Sequence, residues 1–247
     1  RDVADGLSQF AATGQVEFFD PFGEPLKELD PAPEGMTAVD VFNAYYDARG
    51  GAGKLDKVKG LKTIGTMAAG PMELVMEEAY LNRGAGYTRI SAGGNVMQDY
   101  RFDGTKGSES AMGQVTPMEK DKMLDTKRSF DMLSFLHLVD YRLSAELLGI
   151  DRINEVPHYL IELRRNGAVA ESHWFNVETG LRPRTVRTET TPRGDMSLTL
   201  DYGAMTEAKG MLFEGEVTMK TGGQEMKMTV NTVDVNPKID AAEYKVD

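Results

Sequence analysis

Cysteine is absent from this chain of 247 residues. Its absence excludes disulfide bonds, thiol catalysis and cysteine-ligated metal, and it is compatible with both a reducing cytoplasm and a periplasm. Histidine is scarce, and His137, His158 and His173 are not arranged in an HExxH or HxxEH motif. We therefore expect no zinc site, no other metal and no cofactor.

Long apolar runs are also missing, since no stretch reaches the roughly 18 apolar residues that a membrane-spanning helix needs. Positive charge is in the minority, with 28 Lys and Arg against 39 Asp and Glu and a formal net charge of -11. Non-specific binding to nucleic acid or to an anionic membrane surface requires a basic face. We therefore expect no nucleic-acid partner and no membrane span.

What is present, 40% hydrophobic and 27% charged residues, is typical of a globular protein with one large domain or two small ones. The first 26 residues predict a lone helix and a strand, GQVEFF, which cannot close a core alone. From Lys27 to Thr37, KELDPAPEGMT carries two prolines and three acids without an apolar period, as linkers do. We predict a boundary that separates residues 1–35 from a domain at 36–247.

One amphipathic helix is predicted after the linker. Its apolar positions have the spacing i, i+3, i+4 and i+7, and two glycines end it: Val41, Ala44, Tyr45 and Ala48, then Gly50 and Gly51. From Leu61 to Phe102 the period changes to two, and four strands fit, broken at Gly70-Pro71, Arg83-Gly84 and Gly93-Gly94.

The middle of the chain, TPMEKDKMLDTKRSFDMLSFLHLVDY, predicts two consecutive helices, of which the second, Phe130 to Val139, is apolar almost all round. Alternation then resumes in three pairs of strands, the first across Asn166-Gly167 and the last across Gly222-Gly223. This order predicts a mostly β, α+β fold. We expect one large curved antiparallel sheet of about 10–11 strands, an unclosed half-barrel, with helices covering its concave face.

Motifs for catalysis are weak. ARGGAGKL approaches a phosphate-binding loop but follows a helix, so we interpret it as a helix C-cap. Adjacent Glu77 and Glu78 point to opposite faces of a strand and cannot form an acid-base couple, and we interpret them as a solvated face. We interpret His173 as solvent-facing, and its neighbour Ser172 diverges from it across the strand. The sequence thus predicts no catalytic residue.

Methionine is frequent, with 15 residues. Met226 and Met228 share one face of a strand, as do Met72 and Met76. Thioethers bind Cu(I), but no histidine clusters beside these residues, so we interpret them as apolar lining. This pattern suits a cavity for flexible acyl chains and an ordinary core equally well.

Two stretches resemble known families. ADGLSQFAATGQVEFFDPFGEPLKE is similar to the C-terminal end of insulinase/pitrilysin-type zinc peptidases, where a last helix precedes a strand of the G-x-V-x-x-x-D-x-x-G-x-P kind. The resemblance implies that residues 1–35 are the tail of an upstream peptidase domain plus a linker, so that the parent polypeptide would be an insulinase-type metallopeptidase.

From about Met36 to Val246 the chain resembles the LolA/LolB lipoprotein-carrier superfamily. The similarity lies in AYYDARGG, FDGTKG, NVETGLRPRTVRTE, DYG and VNPKIDAAEYKV, which occur in family order. The resemblance implies an unclosed β-barrel lidded by helices, an apolar cavity that receives acyl chains, and no catalytic residues. It also implies a periplasmic or cell-envelope location in a Gram-negative bacterium.

The sequence therefore favours a non-catalytic binding domain that holds a lipid, an acyl chain or another apolar ligand and has the peptidase as its partner. We expect the cavity to lie between the sheet and the second helix, lined by Met72, Leu74, Met76, Tyr80, Phe130, Leu133 and Leu136. The alternative is a structural domain whose own side chains fill this space and whose outer face docks the peptidase or its substrate. An independent enzyme lacks any catalytic constellation.

Overall fold

The computed structural model describes residues 29–69, 72–191 and 194–246. The opening helix and strand and the peptidase-like stretch lie outside these residues. The predicted boundary between 1–35 and 36–247 stays a prediction.

The helix predicted after the linker is confirmed as α1, Ala38–Ala48. Thr37 begins it with a capping box, in which its side chain accepts from the Asp40 N–H and the Asp40 carboxylate accepts from the Thr37 N–H. Gly50 follows with φ of +110°, and a Cβ there would meet the Gly210 carbonyl oxygen at 2.6 Å. Glycine is therefore required where the chain leaves the helix. ARGGAGKL ends α1 and forms one short helix, α2, Ala52–Leu55.

The four strands predicted between Leu61 and Phe102 are confirmed as β1 Gly60–Ala69, β2 Met72–Leu81, β3 Gly86–Ala92 and β4 Asn95–Phe102. The three later pairs are also confirmed: β8 Val156–Arg165 with β9 Ala168–Asn176, β10 Arg184–Thr191 with β11 Gly194–Tyr202, and β14 Glu216–Thr221 with β15 Gln224–Val235. The structure adds five strands that alternation did not predict, namely β5 Gly107–Ala111, β6 Gln114–Pro117, β7 Ser144–Ile153, β12 Met205–Ala208 and β13 Met211–Glu214.

Within the described residues, thirteen strands form one antiparallel sheet in the order β6-β5-β4-β3-β2-β1-β15-β14-β11-β10-β9-β8-β7, and β12 pairs with β13 separately. The first and last strands of the order do not pair with each other, so the sheet is an open half-barrel. The predicted class is confirmed, with more strands than the ten or eleven expected. Helix α1 and the segment that precedes β7 cover the concave face, and a short helix, α4, Ala241–Tyr244, follows β15.

The prediction of a second helix from Phe130 to Val139 is wrong. Helix α3 spans Lys120–Ser129, and the chain then makes two 3-10 turns, Ser134–Leu136 and Leu138–Tyr141. Not all of the segment is buried, since Val139 is 86% exposed.

Asp131 is the physical reason for this difference. Its carboxylate accepts from the Leu133 N–H at 2.9 Å and from the Tyr141 hydroxyl at 2.7 Å, and it lies 2.7 Å from His137 Nδ1. An aspartate that bonds nearby backbone and side-chain donors competes with the helical hydrogen-bond ladder. The segment Phe130–Tyr141 is therefore a compact, mostly buried loop with two 3-10 turns, and its apolar side chains do not have α-helical spacing.

Candidate functional site

The concave face carries two apolar clusters. The closed core lies under α1 and the segment Phe130–Tyr141, and its sheet side includes Leu61, Tyr80, Ile161, Leu163 and Phe175. The methionine surface lies further along β1, β2 and β15 and extends onto β3, β11 and β14. Ten residues form it: Met67, Leu74, Met76, Ile90, Leu200, Tyr202, Val217, Met219, Met228 and Val230. Seven of the ten are only partly buried.

Strand register places both clusters on one face. Leu61 pairs with Tyr80 in the closed core, and Met67 pairs with Leu74 in the methionine surface. The two pairs are six residues apart along each strand, an even number that keeps the side chains on the same side.

A bulge preserves this arrangement on β15. Thr63 pairs with Val233, whereas Gly65 pairs with Val230, so that Asn231 has no paired position on β1. One extra residue in a strand moves the side chains that follow it to the opposite face of the sheet. Without it, Val230 and Met228 would point away from the concave face that Val233 and Val235 share.

The structure divides the predicted site residues between the two clusters. Tyr80, Phe130 and Leu133 belong to the closed core, where the Tyr80 and Phe130 rings stack with centroids 4.9 Å apart, and Leu136 packs against it. Leu74 and Met76 belong to the methionine surface. Met72, at the start of β2, is 57% exposed and lies in neither cluster.

Aromatic side chains occupy the space under the segment Phe130–Tyr141. The Phe135 ring stacks on Phe42 at 4.8 Å and meets Phe175 and His173 edge-on at 5.6 and 5.0 Å. The backbone N–H of Phe135 donates to the Tyr46 hydroxyl at 2.9 Å. The closed core is therefore filled by the protein itself around Phe135.

A charged belt, made of Arg49, Arg182, Glu214 and Tyr45, borders the closed core. The Glu214 carboxylate accepts from the Tyr45 hydroxyl at 3.0 Å and from Arg182 Nη2 at 3.2 Å, and Arg49 Nη2 lies 3.5 Å from it. Burial alone would raise the pKa of Glu214, but Arg49 and Arg182 outweigh burial and lower this pKa to about 2. Glu214 is ionised at neutral pH.

Arg182 joins the two clusters. Its guanidinium lies 4.3 Å from the Tyr202 ring centroid in the methionine surface and 5.5 Å from the Phe135 ring centroid in the closed core. A guanidinium over an aromatic face is attracted by the ring quadrupole, and more so when it is desolvated. The charged belt is thus the internal edge of the methionine surface.

The interpretation of His173 as solvent-facing is wrong, because this residue is 1% exposed. Its ring lies 2.9 Å from the Thr185 hydroxyl through Nδ1 and 2.9 Å from the Glu171 carboxylate through Nε2. Burial lowers the pKa of His173 to about 4. Thr185 is 3% exposed, so no substrate reaches its hydroxyl. The hydrogen-bonded series of Thr185, His173 and Glu171 is therefore structural. Arg128 completes it by pairing with Glu171.

The side chains of Glu77 and Glu78 point to opposite faces of β2, as expected. Glu77 points away from the concave face. Glu77 bonds Lys62 at 2.7 Å and the Tyr87 hydroxyl at 2.6 Å. Glu78 lies on the concave face, half-buried between Tyr80 and Met76 on β2, which corrects the interpretation of a solvated face. Burial raises the pKa of Glu78 to about 7, the Thr88 hydroxyl opposes this by donating at 3.3 Å, and Glu214 adds to it.

A separate groove of about 360 Å³ lies between α1 and the turn that follows β9. Its lining includes Met36, Ala44, Tyr159, Asn176 and Gly180. The turn lies close to the helix, since a Cβ on Gly180 would meet the Ala44 carbonyl oxygen at 2.8 Å. The groove borders the closed core, because its wall includes Val41 and Tyr159 of that cluster and Met36, which packs against it.

Within residues 29–69, 72–191 and 194–246, no three His, Asp or Glu side chains come together in a group that could hold a metal ion. In the same part of the chain, none of the helices has the length and apolar character needed to cross a membrane.

No family model and no curated protein matches the sequence. Solved structures do match the fold. A LolA superfamily protein from Nitrosomonas europaea superposes with a TM-score of 0.56 at 12% identity, covering 86% of this chain and 99% of that one. A DUF1329 family protein from Desulfovibrio piger gives 0.55 at 12% identity, covering 87% and 98%.

A third structure, a proposed outer membrane lipoprotein-sorting protein domain from Vibrio parahaemolyticus, gives a TM-score of 0.52 at 8% identity, covering 75% of this chain and 88% of that one. At these identities the comparison establishes the fold alone. The chain has the open half-barrel fold of LolA-like structures, as the sequence resemblance implied.

Proposed function

We propose that this chain is a non-catalytic carrier domain that holds a lipid, an acyl chain or another apolar ligand on the methionine surface. The observation that carries the proposal is the contrast between the two clusters. The closed core is filled by its own aromatic rings, whereas seven large apolar side chains of the methionine surface are only partly buried. Contiguous apolar surface of this kind is typical of a binding site.

The chemistry of the surface suits a flexible chain. Met67, Met76, Met219 and Met228 lie together in it. Unbranched thioether side chains adapt to irregular apolar partners. Burial of a methylene group contributes about 0.8 kcal/mol, so a ligand that places six or more methylenes on this surface gains enough to outweigh part of its ordering cost.

The fold supports the same proposal, since one structure of this fold is a LolA superfamily protein and another is a proposed lipoprotein-sorting domain. We also propose a periplasmic or cell-envelope location for this chain, because one of these structures is a proposed outer membrane lipoprotein-sorting domain. The sequence resemblance of residues 1–35 adds an upstream insulinase-type peptidase in the same polypeptide as the proposed partner.

A second candidate function is a structural domain that docks the peptidase or its substrate and holds no ligand. The filled space around Phe135 favours it, because the cavity expected under the segment Phe130–Tyr141 is occupied by protein. The two candidates differ in whether the methionine surface binds a ligand.

A titration of the full chain with a fluorescent fatty alcohol, whose head group is neutral, tests the proposal. We expect saturable binding, and we expect Met76→Glu to weaken it at least tenfold because the new carboxylate loses hydration when the chain covers it. Val75→Glu is the matched control, since Val75 is exposed on the opposite face of β2 and its replacement leaves the concave face unchanged.

Thermal unfolding of both variants shows that they fold, and Met219→Gln replaces Met76→Glu if the latter does not. Absence of saturable binding, together with no lipid in an organic extract of the purified protein, would favour the structural candidate. Equal binding by the Met76→Glu variant would place the ligand elsewhere.

A further inference from the structure

Glu78 differs from three other glutamates on the concave side. Glu109 pairs with Lys122, Glu171 with Arg128, and Glu214 with both Arg49 and Arg182. Among the residues that the structure describes, no Lys or Arg lies within salt-bridge distance of Glu78, whose one hydrogen-bond donor is the Thr88 hydroxyl.

The position of Glu78 links this carboxylate to the methionine surface. Met76 and Leu74 follow it on the same face of β2, at about 7 and 13 Å along the strand. Tyr80 of the closed core lies on its other side. An apolar chain lying on Met76 and Leu74 would therefore place its head group at Glu78.

An ionised carboxylate that is partly removed from water costs free energy unless a cation or a donor compensates it. Glu214, whose charge also raises the pKa of Glu78, is negative as well, and the whole chain has a formal net charge of -11. A proton compensates the carboxylate below its raised pKa of about 7, and above that pH the missing compensation is a positive charge that the described residues do not supply.

Resting on the proposed carrier function, we propose that Glu78 binds the ammonium head of an amphiphile whose apolar chain lies on the methionine surface. The ligand class is therefore a lipid or acyl chain that bears a primary amine next to its apolar part. A ligand with a carboxylate head meets repulsion from Glu78 at this position.

Calorimetric titrations of the full chain at pH 8 with dodecylammonium, dodecanol and dodecanoate, each below its aggregation concentration, test this assignment. The three probes share one chain and differ in head charge. We expect dodecylammonium to bind at least tenfold more tightly than dodecanol, and dodecanoate to bind more weakly than both.

Glu78→Gln should abolish the preference for dodecylammonium over dodecanol. The control is Glu73→Gln on the opposite face of β2, which should keep the wild-type preference. An independent readout needs no ligand, because removing an uncompensated carboxylate should raise the urea midpoint of Glu78→Gln at pH 8 above that of the wild type.

Three results would overturn the assignment. The first is an ammonium preference that survives Glu78→Gln. The second is binding of dodecanol without any preference, which removes the role of Glu78 but leaves the carrier function in place. The third is tightest binding of dodecanoate, which would place the head group at Arg182. Absence of binding by all three probes would overturn the carrier function as well.

Discussion

Replacing Glu214 by glutamine is expected to lower the free energy of unfolding at pH 7 by about 3 kcal/mol. The glutamine keeps the shape of the side chain but removes the negative charge that faces Arg49 and Arg182. Both guanidinium groups are then left in a largely buried position without their common counter-charge, which is a strongly destabilising change.

The effect of Glu214→Gln should depend on pH. The folded-state pKa of Glu214 is about 2, below its ordinary value of 4.5, so its ionisation stabilises the fold above pH 4.5. This stabilisation is lost as pH falls from 4.5 towards 2, because the unfolded chain takes up the proton first. The difference between wild type and variant should therefore shrink over that interval.

Urea unfolding of both proteins at pH 7, 4 and 3 measures this effect. Glu207→Gln is the control, because Glu207 is exposed on β12 and surface substitutions change stability by about 0.5 kcal/mol or less. A Glu214→Gln variant as stable as the control at pH 7 would contradict the assigned role of the charged belt.

Phe135→Ala is expected to lower the free energy of unfolding by about 3–5 kcal/mol. The ring stacks on Phe42 and meets Phe175 edge-on, and the Arg182 guanidinium lies over it. Removing it leaves a cavity at the centre of the closed core and also breaks the aromatic contact between the loop and the sheet.

Val139→Ala provides the matched control for Phe135→Ala, since Val139 lies in the same segment and is 86% exposed. We expect a change of about 0.5 kcal/mol or less for it in chemical denaturation. A loss of less than about 1 kcal/mol for Phe135→Ala would mean that the segment Phe130–Tyr141 does not close the core.

Local chemistry explains which parts of the fold could be predicted. Asn166 and Gly167 have φ of +52° and +84°, the values that a two-residue hairpin turn requires, and this dipeptide marked the turn between β8 and β9. Strand β7 was missed because its alternation is broken by a bulge near Leu148. Strands β5 and β6 were missed because their side chains are mostly polar.

The site depends on contacts that no local pattern contains. Glu214 and Arg49 are 165 residues apart, and His173 meets Thr185 only because β9 and β10 pair in one particular register. Period-two spacing did place Leu74, Met76 and Tyr80 on one face. It could not show that the charged belt divides this face, because Arg182 comes from the connection between β9 and β10.

Photo-cross-linking with a diazirine-bearing fatty alcohol, followed by peptide mapping, tests most directly the claim that the methionine surface binds the ligand. We expect adducts on β1, β2, β3, β11, β14 and β15, at the residues of the methionine surface, and we expect unlabelled fatty alcohol to suppress them. Adducts confined to the segment Phe130–Tyr141 or to the groove beside Met36 and Asn176, or no adduct that unlabelled ligand suppresses, would contradict it.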